Sequence, residues 1–215
     1  MAADRSVARL KSVVFDVGNV LVDWNPRAFF QRHIADPARL DRFLGEVATL
    51  EWHTQHDAGR SFADTSAELI ALHPDEAEHI RLWGERFDEQ IGDVLPGMAD
   101  LVADLDARGC PLFAVTNFSH EFWPSFRARE AALLDHFRDV LVSGEVKLVK
   151  PDPAIFAEMR QRIEAQLPGI QPGELVFIDD NLKNAEAATT LGWHGVHHTS
   201  AAKTEAGLRE LGLPV

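Results

Sequence analysis

Cysteine is almost missing: Cys110 stands alone in a chain of 215 residues. No intrachain disulfide is possible. Cys110 lies between Gly109 and Pro111, just ahead of an apolar run, and reads as a packing residue rather than a nucleophile. No apolar run approaches membrane-spanning length, and residues 1–12 lack the apolar stretch of a secretion signal. A cytoplasmic protein without a membrane partner is expected. Basic residues are scarce: 21 Lys and Arg against 34 Asp and Glu give a formal net charge of -13. General binding to nucleic acid or to an anionic membrane needs a basic face, which this balance denies. A small anionic substrate stays possible, because one lysine and a metal make a locally positive pocket. There is no repeat and no low-complexity tract. The length suits one large domain or a domain with an insertion, as a monomer or homodimer, and 46% hydrophobic residues allow a full core.

Two short apolar runs end abruptly in carboxylate. Val13, Val14 and Phe15 lead into Asp16, and Leu175, Val176, Phe177 and Ile178 lead into Asp179 and Asp180. Short β-branched and aromatic runs read as buried parallel strands. In open α/β sheets the ligand site lies beyond the carboxyl ends of such strands. Adjacent carboxylates there repel and are costly to desolvate unless a cation sits between them. The pattern therefore points to a hard-cation site in an enzyme.

The rest of the chain alternates. Helical patterns over 98–108, 120–132, 153–165, 181–191 and 204–211 are interleaved with strand patterns at 112–115, 140–142, 175–178 and 195–198. Such alternation implies an α/β fold with a Rossmann-like parallel sheet core and right-handed crossovers. The stretch 24–93 reads as helices only, over 26–33, 37–48, 61–72 and 75–91, with no convincing strand. It is expected to be an inserted α-helical cap domain, leaving a discontinuous core of residues 1–23 and 94–215. Residues 51–60, polar and glycine-bearing, read as a loop between cap helices that reaches over the pocket and selects the substrate.

Asp16, at a strand end and followed by Gly18 and Asn19, is poised as a nucleophile that forms a covalent intermediate. Gly18 lets backbone approach a ligand or metal closely. Thr116 ends the next strand, with Asn117 and Ser119 behind it, a hydroxyl and N–H set suited to an anion. Asp152 and Pro153 are ordinary helix-start residues. Lys150 just before them is unfavourable at a helix N-terminus unless an anion binds there. Lys147 reads as a solvated lysine. His194, His197 and His198 flank the last strand without a matching carboxylate, which argues against a zinc site.

Four strings carry a resemblance: FDVGNVLVD at 15–23, VTN at 115–117, KPDPAIF at 150–156 and FIDDN at 177–181. In this order they resemble the four motifs of the haloacid dehalogenase (HAD) superfamily, and the helical insertion resembles its subfamily I cap. The first string and TNFSHEFW at 116–123 are similar to the branch that includes bacterial α-D-glucose-1-phosphate phosphatase. The resemblance implies an HAD fold and a Mg²⁺-dependent phosphatase acting on small phosphorylated metabolites such as sugar phosphates. Asp16 would become an aspartyl phosphate. Thr116 and the Asn117 N–H would hold the phosphoryl oxygens, and Lys150 would neutralise nucleophile and phosphate. Asp180, Asp16 and the Gly18 carbonyl would bind Mg²⁺, with Asp179 in support, a donor set that suits this ion. Asn19 and His56 are further substrate-pocket candidates, with His120 behind them, and Asn184 takes a place where many relatives carry another Asp. A 2-haloacid dehalogenase using the same aspartate, and a non-catalytic metabolite-binding protein, are the alternatives. The acidic pair counts against the first, and the intact Asp16, Thr116, Lys150 and Asp180 count against the second.

One departure stands out. Phosphatases of the superfamily usually carry an acid–base Asp two residues after the nucleophile, and here that position is Gly18. The missing group can come from elsewhere, with Asp23, His53, His56, Asp57 and His120 as sources. Alternatively the substrate has a good leaving group, as an anomeric hydroxyl is, or the protein is a poor phosphatase. A good leaving group is the favoured explanation, in keeping with the resemblance to the sugar 1-phosphate branch.

Overall fold

The computed structural model describes residues 10–213 and residue 215; the expectations for the first nine residues lie outside it. The chain begins with β1 (Ser12–Phe15) and then β2 (Val22–Trp24). Helices α1 (Pro26–Phe30), α2 (Pro37–Arg42), α3 (Leu50–Asp57), α4 (Phe62–Leu72) and α5 (Ala77–Glu85) follow, before β3 (Ile91–Val94). The remainder alternates: α6 (Met98–Ala107), β4 (Leu112–Thr116), α7 (Trp123–Arg129), α8 (Ala131–Leu134), β5 (Asp139–Val142), α9 (Ser143–Val146) and α10 (Pro153–Gln166). Then come β6 (Leu175–Asp179), α11 (Leu182–Thr190), β7 (His194–His197) and α12 (Ala201–Glu210). No helix among the described residues is long and apolar enough to cross a membrane.

The main sheet has the order β5-β4-β1-β6-β7, and every neighbouring pair is parallel. Successive side chains on a strand face opposite ways, and both faces are buried. Phe15, Ala114, Val176 and Ile178 join one hydrophobic cluster with α6, α7 and the helices between β2 and β3. Val14, Phe113, Val115 and Phe177 join a second with α10, whose Ile155, Phe156 and Met159 pack beneath them. The result is an α/β core of three layers. The ends of β1 and β6 lie level, because Phe15 pairs with Ile178. That register sets Asp16 beside Asp179.

Helix starts follow local chemistry. Asn25, Asp36 and Asp152 each accept a hydrogen bond from the first turn of the next helix, and each is followed by proline. Thr49 and Ser61 cap α3 and α4 in the same way. Three expectations are corrected. Residues 51–60 are mostly helix, because the Thr49 cap starts α3 at Leu50. The pattern over 120–132 breaks into α7 and α8. The stretch 24–93 is not wholly helical: Trp24 closes β2, which pairs antiparallel with β3 (Val22 with Val94, Trp24 with Ile91). Helices α1–α5 thus leave and rejoin the core through a two-stranded ribbon.

Those helices share an aromatic centre in which Phe30 stacks on Trp83 at 5.4 Å and Trp52 meets Trp83 edge-on at 5.6 Å. Beside it Glu76, 1% exposed, accepts from Arg39 at 2.8 and 3.1 Å and from Arg42 at 3.3 Å, with the His79 ring 2.9 Å away. The Arg39 hydrogen bonds hold its carboxyl below the ordinary value of 4.5. Folding therefore gains from Glu76 ionisation above pH 4.5, and the gain disappears as pH falls through the lowered value. Glu76→Gln is expected to cost about 2 kcal/mol near neutral pH, since both arginines are partly solvated. Urea unfolding across pH checks this: the difference from wild type should vanish in acid.

Candidate active site

The carboxyl edge of the sheet opens into a cavity of about 300 Å³. Asp16 and Gly18 enter it from β1, Thr116 and Asn117 from β4, Asp180 and Asn184 from the end of β6 and from α11. Lys150 rises from the segment before α10. Its ammonium lies 2.8 Å from Asp16 Oδ1 and 2.7 Å from Asp179 Oδ2, and only 4% of the residue is exposed. Asp16 also accepts from the Val17 N–H at 2.7 Å. Asp179 is fully buried, and its oxygens are taken by Lys150, by the Asn184 amide at 3.1 Å and by the Asn181 N–H at 2.8 Å. Its place is behind Lys150, not on the cavity wall.

Asn117 does more than end a strand. Its Oδ1 accepts from the Lys150 N–H at 2.8 Å and its Nδ2 donates to the Lys150 carbonyl at 3.1 Å. The two bonds fasten the lysine backbone to the loop after β4. Motif spacing names Asn117 for its N–H, and this side-chain link has no local signal. Asn19, with φ 55°, accepts from the Trp24 N–H at 3.0 Å and lines the cavity.

The electrostatics of these carboxylates favour a cation beside them. Burial pushes the Asp16 carboxyl up to about 8 against the pull of Lys150, and the charge of Asp179 adds to the rise. Asp180 is raised too, first by burial and then by Asp179. Among the described residues one metal-capable cluster occurs, Asp16, Asp179 and Asp180, with ligand oxygens all within 4.8 Å of one another. Asn184 Oδ1 is buried beside it and has no hydrogen-bond partner. An all-oxygen, carboxylate-rich set with a spare acceptor for a bound water fits Mg²⁺, which keeps several waters and binds through one or two carboxylates.

Of the other expected residues, His53 and Asp57 line the cavity, joined by Trp24, Thr54 and Phe87, which the sequence did not single out. His56 does not reach it. It is fully buried behind His53, with its Nε2 2.6 Å from the Thr65 hydroxyl, because α3 turns it toward α4. Its expected substrate contact is therefore corrected. His120 is exposed and outside the cavity, and the Asp23 carboxylate lies over Gly92 of β3. Trp52 is an anchor, donating to the Thr65 carbonyl at 3.3 Å. Lys147 is exposed. His194 and His197 contact the backbone carbonyls of Gly173 and Asp180, and His198 contacts Thr204, so they form no metal site. Burial pushes the Cys110 thiol up to about 11, which leaves it inert.

The chain is similar in sequence and in fold to known proteins. A sesquiterpene phosphatase, AstK, of Aspergillus oryzae is 26% identical over 212 residues, covering 94% of this chain and 96% of its own. A phosphoglycolate phosphatase of Escherichia coli is 26% identical over 206 residues, covering 85% of this chain and 79% of its own. Among solved structures, a HAD family enzyme of Bacteroides thetaiotaomicron in complex with magnesium and inorganic phosphate shares the fold. Its TM-score is 0.65 at 19% identity, over 89% of this chain and 95% of that one. An L-2-haloacid dehalogenase of Xanthobacter autotrophicus with covalently bound chloropropionic acid superposes with a TM-score of 0.57 at 18% identity, over 96% and 85%. The family of haloacid dehalogenase-like hydrolases matches residues 10–192, and this chain belongs to it.

Proposed function

We propose that this hydrolase is a Mg²⁺-dependent phosphatase of small phosphorylated metabolites, with sugar phosphates as the leading class, working through an aspartyl phosphate on Asp16. The observation that carries the reading is the meeting of Asp16, Lys150 and Asp180 in one cavity beside Thr116 and Asn117. Phosphatases at 26% identity over most of the chain support it. The motif spellings resemble the glucose-1-phosphate phosphatase branch, and we read α1–α5 as a subfamily I cap. A cavity of about 300 Å³ is at the small end of ligand sites.

In this reading an Asp16 oxygen attacks phosphorus, and the bond to the leaving oxygen breaks. The Thr116 hydroxyl and the Asn117 N–H hold phosphoryl oxygens, and Lys150 offsets charge on nucleophile and phosphate. Asp179 holds Lys150 in place. Asp16, Asp180 and the Gly18 carbonyl would hold Mg²⁺, which when bound supplies charge neutralisation at the phosphoryl oxygens. Catalysis of this kind is positioning plus preorganised charge.

A panel of phosphorylated metabolites, assayed for inorganic phosphate with Mg²⁺ and with EDTA, tests it. Phosphate release that needs Mg²⁺ and stops in EDTA is expected. Chloride release from 2-chloropropionate that survives EDTA would move the assignment to dehalogenation. No turnover of any member of the panel would leave a metabolite-binding protein.

A further inference from the structure

Departure of an alkoxide from phosphorus needs a proton, and position 18, two residues after Asp16, is a glycine. Five ionisable side chains line the cavity: Asp16, His53, Asp57, Lys150 and Asp180. Asp16, Lys150 and Asp180 are already engaged as nucleophile, counter-charge and metal ligand. His53 is held as a plate between Trp24 (5.0 Å, 26°) and Phe87 (5.7 Å, 18°). Burial, with His56 beside it, drives its imidazole down to about 3, so it is neutral near neutral pH and has no acidic imidazolium proton to give.

Asp57 is different. It is the last residue of α3, 5% exposed, and its Oδ1 has no hydrogen-bond partner. The nearest cationic candidate, His53 Nε2, is 3.7 Å away, beyond hydrogen-bonding reach, and is uncharged. A helix C-terminus also disfavours an anion. Burial raises its carboxyl to about 7, and the charge of Lys150 opposes the rise. Its seat is fixed from the core side. Gly59, with φ 88°, lets the chain end α3 directly against α9, where a Cβ would meet the Gly144 carbonyl oxygen at 2.9 Å.

We infer that Asp57, delivered by α3 to the cavity that also holds Asp16, is the general acid and base of the reaction. This inference rests on the phosphatase reading above. As Asp16 attacks and the ester P–O bond breaks, the Asp57 carboxyl gives its proton to the leaving oxygen, which departs as an alcohol. The resulting Asp57 carboxylate then takes a proton from water as that water attacks the aspartyl phosphate. The bond from phosphorus to Asp16 breaks, and inorganic phosphate is released with both side chains restored. With a donor in the helical segment, a good leaving group is no longer required to explain Gly18.

The test compares leaving groups in kcat/KM, which reports steps up to departure of the alcohol. p-Nitrophenolate leaves without a proton; the hydroxyl of glucose 6-phosphate does not. Asp57→Asn keeps shape and is expected to lose about 10²-fold or more on glucose 6-phosphate and less than about threefold on p-nitrophenyl phosphate. Equal losses on the two, or none on either, would overturn the inference. So would a wild type that turns over p-nitrophenyl phosphate but not glucose 6-phosphate. A second measurement needs no variant: across aryl and alkyl phosphates, wild-type kcat/KM should depend only weakly on leaving-group acidity, and a steep dependence would refute the donor. If wild type with Mg²⁺ releases phosphate from neither probe, the phosphatase reading itself falls.

Discussion

Asp16→Asn is expected to reduce phosphate release by about 10⁵-fold or more, to the background of the assay, while leaving the fold intact. The amide cannot attack phosphorus, and no neighbouring carboxylate can replace it. Asp179 has its oxygens occupied by Lys150, Asn184 and the Asn181 N–H. Asp180 follows the end of the neighbouring strand β6, and in this reading its carboxylate is committed to the metal. The stability side of the prediction is just as specific. Asp16 is buried, lies level with Asp179, and has its carboxyl pushed up to about 8 by burial and by that neighbour. Replacing it with a neutral isostere removes a desolvated like-charge repulsion, and Lys150 still keeps Asp179 at 2.7 Å. Stability measured by urea unfolding should therefore be unchanged or higher, the pattern of a residue kept for chemistry at some cost to the fold. Single-turnover assays with p-nitrophenyl phosphate and Mg²⁺ check the activity half. Residual turnover above about 1% of wild type would show that another group attacks phosphorus.

What was readable in the chain, and what was not, follows from the range of each interaction. The strands β1, β4 and β6 announce themselves as short apolar runs, and their terminal Asp16, Thr116 and Asp179–Asp180 are visible because each apolar run stops where the polar residue begins. Helix starts were legible from caps and prolines, which act within one turn. The ribbon was not, because β2 and β3 are three and four residues long and meet only in the folded chain. Helix α3 hid for a different reason. Its buried side carries His53, His56 and Asp57 beside Trp52, so its inward face is not apolar and shows no clear periodicity. Two of them, His53 and Asp57, line the site. A segment that is polar in sequence and buried in the structure is where local patterns mislead and where chemistry collects. The Asn117–Lys150 clasp joins residues 33 apart and leaves no trace in either neighbourhood.

Lys150→Met should be the most disruptive single change to the site, in stability and in rate together. In the wild type one ammonium satisfies two buried carboxylates, Asp16 at 2.8 Å and Asp179 at 2.7 Å, with its charge also 5.4 Å from the Phe177 ring centre. Methionine fills the same channel, so packing is nearly preserved and the loss is electrostatic. Removing one partner of a buried ion pair costs about 3–5 kcal/mol, because the remaining charge is left without compensation. Here two charges are left, which places the expectation at the upper end, measured by urea unfolding in EDTA. Turnover should fall about 10²–10³-fold or more, the usual effect of losing one preorganised charge at a transition state. The double variant Lys150→Met/Asp179→Asn separates the two losses. Asn at 179 removes one of the stranded charges and keeps an oxygen for the Asn181 N–H, so much of the stability should return. Activity should not, because nothing then offsets charge on Asp16 and the phosphoryl oxygens. If stability fails to recover, Lys150 is held by packing rather than by its two carboxylates. If activity recovers with stability, the lysine serves the fold alone and the electrostatic role assigned to it is wrong.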